Sequence, residues 1–217
     1  MKKLILIILL LLIGSTVSLA AHTKQFNFLE TMIVAMDNLE EGRETLVKAN
    51  DMEDRAGYAR EVSKVQSAWK FAQRIIRPYV NDTDEKIRET ASTLDQGLDA
   101  FIRSADYYVS LSERAKRGQI PDEEETITAL KEMEAREDEA YQRMGSAIAS
   151  FIPDKLTKSE RGFLAFKIDL AFSKPFKVYR FHPNEVTKIV VAMAAFEGRL
   201  LGKKVGENPF YQPLFSK

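Results

Sequence analysis

The chain has 217 residues, of which 45% are hydrophobic and 29% charged, and its 32 basic and 32 acidic side chains balance. It contains no cysteine, which excludes disulfides, thiol nucleophiles, cysteine-bound zinc, iron–sulfur clusters and covalent c-type haem. The balanced charge argues against nucleic acid as a partner, because proteins that bind nucleic acid normally carry a basic excess.

Residues 1–20 show the order of parts found in a secretory signal peptide. Two lysines precede an unbroken run of ten apolar residues, Leu4 to Ile13, and small residues follow at the spacing that a signal peptidase accepts. The run is shorter than the ~20 residues that a helix needs to span a bilayer. We therefore expect cleavage near Ala20 and an exported protein, periplasmic or secreted. An uncleaved N-terminal membrane anchor is the minority interpretation.

The remaining sequence predicts six helices and no sheet, since no segment shows the sustained alternation of a strand. Capping residues indicate the helix starts, and glycine or proline indicates the ends. The predicted starts are Asn27, Asn50 or Asp51, Asp82, Pro121 with Asp122, Thr157 and Pro183. The predicted ends are Ala49, the residue before Pro78, Gly118, Pro153 and Gly202.

Apolar residues at alternating steps of three and four form a stripe along each of the first four predicted helices. The second helix carries Tyr58, Val62, Val65, Trp69, Ala72, Ile76 and Tyr79, and the third carries Ile87, Ala91, Leu94, Leu98, Phe101, Ala105 and Tyr108. This period favours left-handed packing of helices. We predict an up-down-up-down four-helix bundle over residues 21–153. A C-terminal helical hairpin and an extended tail over residues 154–217 pack on it.

One charged residue interrupts the stripe in each of the first and fourth helices, at Arg43 and Glu137. In an antiparallel arrangement their levels differ by about 13 Å at 1.5 Å per residue, which argues against a direct ion pair. Each is expected to reach from the edge of the stripe toward solvent.

Residues that most enzymes and metal sites use are scarce in this chain. The two histidines are His22 and His182, and there is no Glu-x-x-His, no G-x-S-x-G and no glycine-rich phosphate loop. We expect no catalytic residue, no metal and no cofactor. A carboxylate-based activity is left open, since acidic residues are abundant.

Charge is distributed unevenly along the second half of the chain. Residues 119–140 hold nine acids and two bases, whereas residues 155–181 interleave basic and aromatic side chains. Basic residues beside aromatic ones suit an anionic lipid surface. The candidate residues for binding an anionic surface are Lys158, Arg161, Lys174, Lys177 and Arg180, the last three in a loop between two helices. A solvated loop over a buried hairpin and a surface for protein docking are the alternatives.

The sequence thus predicts an exported, non-enzymatic helical binding module of the bacterial cell envelope. The alternative is a peripheral protein that binds anionic lipid or another envelope component through residues 155–181. The partner is another envelope protein or an anionic membrane surface, and the oligomeric state is left open.

Overall fold

The computed structural model describes residues 23–50, 55–119, 122–178 and 187–203, without the side chains of residues 50, 55–56, 115 and 173–178. These residues form six α-helices and no strand, which confirms the all-α prediction. The helices are α1 (Lys24–Asn50), α2 (Arg55–Ile76), α3 (Glu85–Lys116), α4 (Glu123–Ser150), α5 (Lys158–Val178) and α6 (Lys188–Leu201), and a short 3-10 helix, Arg77–Tyr79, follows α2.

Two helices begin at the residues that the sequence indicated. The Asp122 side chain accepts the N–H of Glu125 at 2.9 Å and caps α4. Thr157 and Glu160 form a reciprocal capping box at the start of α5. The Thr157 N–H donates to the Glu160 carboxylate at 2.7 Å, and the Glu160 N–H donates to the Thr157 hydroxyl at 3.2 Å.

Two other predicted starts were displaced, and a third lies outside the described residues. Thr23 caps α1 by accepting the Phe26 N–H at 3.1 Å, four residues before the predicted Asn27. The Asp84 carboxylate accepts the Lys86 N–H at 3.1 Å and precedes α3, while Asp82 lies in the turn before it. Thr187 caps α6, and the predicted start at Pro183 lies outside the described residues. Several polar residues near each start are chemically able to cap, and only the backbone path selects one of them.

The predicted stripes form the core. The α2 positions from Val62 to Ile76 and the α3 positions from Ile87 to Ala105 are buried along their whole length. Trp69 is only 1% exposed, and its indole Nε1 donates a hydrogen bond to the carbonyl of Leu39 in α1 at 3.0 Å. In the second half of α4, one side is buried through Ala140, Met144, Gly145 and Ile148, whereas most side chains in its first half are exposed.

Two glycines allow large side chains to lie directly against a neighbouring helix. A Cβ atom on Gly42 of α1 would collide with the Trp69 indole, and one on Gly97 of α3 would collide with the Met144 side chain. Because both clashes fall on buried side chains, these positions require glycine for close packing of α1 on α2 and of α3 on α4.

The order of helix contacts explains where the last two helices lie. From α1 to α4, each helix packs against the next one in sequence. The α5 and α6 helices pack against each other, and in addition α5 contacts α1 and α6 contacts α4. The last two helices therefore connect the two ends of the α1–α4 series, and one side of α5 is left at the surface.

Candidate functional site

Three large apolar side chains are exposed along one side of α5. Phe163 is 45% exposed, Phe166 is 62% and Leu170 is 58%. Their spacing of three and four residues places them on one face of the helix, which we call the α5 apolar face. The other side of α5 is apolar too, and it is buried against the rest of the protein through Leu164, Ala165, Ile168 and Phe172.

The base of this face is held firmly on α1. The Phe163 ring lies 5.9 Å from the ring of the buried Phe26, measured between centroids. The Lys167 ammonium lies 5.2 Å from the Phe163 ring centroid and forms an ion pair with Glu30 of α1. The contacts of Phe163 with Phe26 and of Lys167 with Glu30 therefore fix the position of α5 on α1.

Ile152 adds a further exposed apolar side chain just before α5, in the segment that joins it to α4. It is 63% exposed. This segment is fixed to α5 because the Arg161 guanidinium donates to the carbonyl of Pro153 at 2.7 Å. The N-terminus of α1 lies at the same place, since the Thr23 N–H donates to the Glu160 carboxylate at 3.3 Å. Ile152, the start of α5 and the start of α1 thus share one end of the molecule.

Of the predicted anionic-surface residues, Lys158 and Arg161 have described side chains. Lys158 is exposed at the first position of α5, where a cation is free to meet a partner. Arg161 is half-buried, and its guanidinium is engaged by backbone carbonyls of the preceding segment. These donors hold the start of α5, and the binding of an anionic surface by Arg161 stays a prediction.

The predicted loop around Pro175 was wrong in part. Lys174 and Lys177 belong to α5, which runs to Val178, and their side chains lie outside the described residues, as does the whole of Arg180. Pro175 lies in the last turn of α5. A proline there removes one backbone hydrogen bond, and the helix continues to its end three residues later.

A buried polar cluster between α1 and the start of α6 was not predicted. Glu40 on α1 is only 4% exposed. Its carboxylate accepts from the Arg43 guanidinium at 3.0 Å and from the Thr187 hydroxyl at 2.7 Å. The same hydroxyl accepts the Val190 N–H and caps α6. The cluster therefore attaches the start of α6 to α1.

Tyr141 of α4 lies near both residues that interrupt the stripes, Arg43 and Glu137. Burial raises its pKa well above the ordinary value, and the charges of Glu40, Arg43 and Glu137 also act on it. Its hydroxyl is buried and has no hydrogen-bond partner among the described residues. The aromatic ring packs edge-on against Phe101 at 4.6 Å between centroids.

Arg43 and Glu137 are both half-buried, as expected for residues at the edge of the stripe, but each also has a polar neighbour within the protein. Arg43 pairs with Glu40 on its own helix, and the Glu137 carboxyl lies near the Ser104 hydroxyl of α3. Burial raises the pKa of the Glu137 carboxyl, and the Ser104 hydroxyl only partly opposes it. Neither is bonded to the other in the described part of the chain, in agreement with the predicted offset between their levels.

A solvent-open groove between α3 and α4 is lined by three arginines, Arg103, Arg136 and Arg143. Each of them already pairs with an acidic residue four positions earlier on its own helix. The partners are Asp99, Glu132 and Glu139. The groove therefore offers no uncompensated positive charge.

Within residues 23–50, 55–119, 122–178 and 187–203, no group of three or more potential ligand side chains is placed to hold a metal ion. The two histidines, His22 and His182, lie outside those ranges. None of the helices described combines the length and apolar character needed to cross a membrane. The chain matches no known family model, no curated protein and no solved structure.

The sequence analysis noted the aromatics of α5 but did not separate its two faces. Phe163, Phe166 and Leu170 follow one helical stripe, and the buried residues of α5 follow another. Two parallel apolar stripes on one helix were thus visible in the sequence. Only the packing of α5 on α1 and α6 shows which of them is covered.

Proposed function

We propose that this protein is an exported, non-enzymatic binding module of the bacterial cell envelope and that the α5 apolar face is its binding surface. The observation that carries the proposal is the exposure of Phe163, Phe166 and Leu170 on a helix whose opposite side is buried. Contiguous exposed apolar side chains indicate a surface that another molecule covers. Covering them is favourable by roughly 25 cal/mol per Å² of apolar area removed from water.

Export is proposed on the order of parts in residues 1–20, which is typical of a signal peptide. We further propose that α1–α4 form an up-down-up-down bundle and that α5 and α6 form a hairpin packed on it. The sequential contacts from α1 to α4 and the contacts of α5 with α6 support this division.

The second candidate function is peripheral binding of an anionic membrane or other envelope component through residues 155–181. Lys158 favours it, because this lysine is exposed at the first position of the helix that carries the apolar face. Lys155 is exposed just before this helix but is paired with Asp84. A second envelope protein remains the other partner that the proposal allows.

The absence of cysteine allows a direct test of the binding surface. A single thiol is introduced at the face by Phe166→Cys, and its reaction with a maleimide is timed in the envelope fraction of cells and in the purified protein. We expect severalfold slower labelling in the envelope fraction because the bound partner shields position 166. The control is Ile127→Cys, a comparably exposed apolar position at the start of α4. Equal labelling rates of position 166 in the two samples would contradict the proposal.

A further inference from the structure

We propose that the partner of the α5 apolar face is an anionic lipid bilayer, and that the protein contacts this bilayer at the end where α1 and α5 start. This inference rests on the proposed function and names the partner of the same surface.

The position of the N-terminus is the first argument. The apolar run ends at Ile13, and Thr23 is the first described residue, so ten residue steps join them. A fully extended chain of that length spans at most about 35 Å. Thr23 is hydrogen-bonded to Glu160 at the start of α5. Whenever the run lies in a membrane, the α5 apolar face is therefore held close to that membrane.

The concentration of exposed apolar side chains is the second argument. Eight large hydrophobic side chains are exposed among the described residues, and four of them fall between positions 152 and 170. The others are dispersed over α1, α2, α4 and α6. A helix with an exposed apolar side inserts that side about 5–10 Å into the boundary between headgroups and acyl chains. Phenylalanine and leucine suit this depth.

The distribution of charge is the third argument, and it selects an anionic surface. Lys158 is exposed beside the apolar residues at the end shared by the starts of α1 and α5. Lys155 is exposed there too, but it forms an ion pair with Asp84 at 3.8 Å. The acidic first turn of α4, Glu123 to Glu125, lies at the other end of that helix. The 28 residues of α4 separate the two ends by about 42 Å at 1.5 Å per residue. An anionic bilayer attracts the exposed Lys158 and repels the acidic first turn of α4, so both charges favour the same orientation.

Vesicle flotation tests the inference on the protein recovered from the exported fraction, with its N-terminus read by mass spectrometry. At low salt, we expect flotation with vesicles of phosphatidylglycerol and phosphatidylcholine but little with phosphatidylcholine alone. Phe166→Asp should abolish flotation, whereas Ile127→Asp, at the far end of the molecule, should keep it. Lys158→Glu should weaken binding by about fivefold or more, since one basic residue near such a surface contributes on this scale.

Two further measurements keep the test decisive. If circular dichroism shows that Phe166→Asp unfolds, Leu170→Ser replaces it as the variant of the apolar face. Nitroxide labels on single cysteines at positions 152, 166 and 124 then report depth, and this readout also serves if residues 1–22 are retained. We expect the labels at 152 and 166 to contact lipid and the label at 124 to contact water.

The outcomes separate this inference from the proposed function. If position 166 is shielded in the envelope fraction but its label stays in water on anionic vesicles, the bilayer is the wrong partner and a protein partner remains. If the chain without residues 1–20 floats equally well with neutral and with anionic vesicles, the bilayer need not be anionic and that part of the inference is overturned. If position 166 is not shielded in the envelope fraction, the proposed function and this inference both fail.

Discussion

The α3 and α5 helices both bury an apolar stripe, but they differ in what they present to solvent. Outside its stripe, α3 carries charged side chains such as Lys86, Asp99 and Arg103, which are exposed and paired. Outside its own stripe, α5 carries Phe163, Phe166 and Leu170. The core buries the whole apolar stripe of α3. The described core leaves the second apolar stripe of α5 exposed, and the proposed binding surface rests on this exposure.

The largest expected effect is on the buried side of this comparison, at Trp69. Trp69→Ala should cost about 3–5 kcal/mol of unfolding free energy, as large aromatic truncations in cores do. The indole also fills the space above Gly42 and donates to the Leu39 carbonyl. The variant therefore leaves a cavity next to Gly42 and removes the hydrogen bond to Leu39. Denaturant unfolding followed by circular dichroism measures the loss. A change within ~0.5 kcal/mol would show that this part of the core is placed wrongly.

A leucine pair tests the difference between α3 and α5 directly. Leu98 in α3 is fully buried, whereas Leu170 in α5 is more than half exposed. Leu98→Ala should cost about 2–5 kcal/mol because it leaves a cavity. Leu170→Ala should change stability by no more than ~0.5 kcal/mol, as surface substitutions usually do. Equal losses in the two variants, measured by denaturant unfolding, would mean that another part of the chain covers Leu170.

A glycine pair sharpens the same comparison, with effects of opposite sign. Gly97→Ala in α3 places a Cβ atom against the Met144 side chain and should cost about 1–3 kcal/mol through overpacking. At Gly162 in α5, a Cβ atom would meet no atom within 4 Å. Gly162→Ala should therefore stabilise the protein by about 0.5–1 kcal/mol, because alanine favours the helix. Thermal melting of both variants gives the two signs, and a stabilising Gly97→Ala would contradict the close approach of α4.

The smallest expected effect concerns the buried carboxyl of Glu137. Burial raises the pKa of the Glu137 carboxyl in the folded state above the ordinary value of 4.5. The stability that this carboxyl contributes is therefore fully present below pH 4.5. It is lost as pH rises through the folded-state pKa, because the buried group must then ionise. Glu137→Gln removes this loss because the glutamine amide does not titrate, and it keeps a polar group of the same size near Ser104. The variant should be more stable than the wild type at pH 7, with the difference shrinking toward pH 4. Unfolding curves at several pH values check this, and a constant difference would exclude titration as its cause.

Much of the fold could be predicted because helical periodicity and capping are local properties. The stripes of α2 and α3 were read correctly over their whole buried length, and the caps at Asp122 and Thr157 were correct. The displaced starts at Thr23 and Asp84 show the limit of this reading. Neighbouring polar side chains are equivalent in sequence, and the path of the backbone decides which of them accepts the free N–H groups.

The binding surface could be predicted only in outline. Basic and aromatic residues in the segment 155–181 were visible, and Lys158 is indeed exposed. Arg161 has the same charge, yet its donors are occupied by the carbonyl of Pro153. Composition does not show such contacts, since the carbonyl belongs to a segment eight residues earlier whose direction depends on how α4 ends.

The sequence by itself determined the helical content, the stripes of the core and the absence of all cysteine chemistry, because each depends on residue type and on spacing within one helix. The tertiary structure alone decided which stripe of α5 is covered, and it brought Glu40, Thr187 and Tyr141 together from three parts of the chain. The physical reason is the same in both cases. Exposure and electrostatic contact depend on which helices become neighbours, and that choice is made by packing across the whole chain.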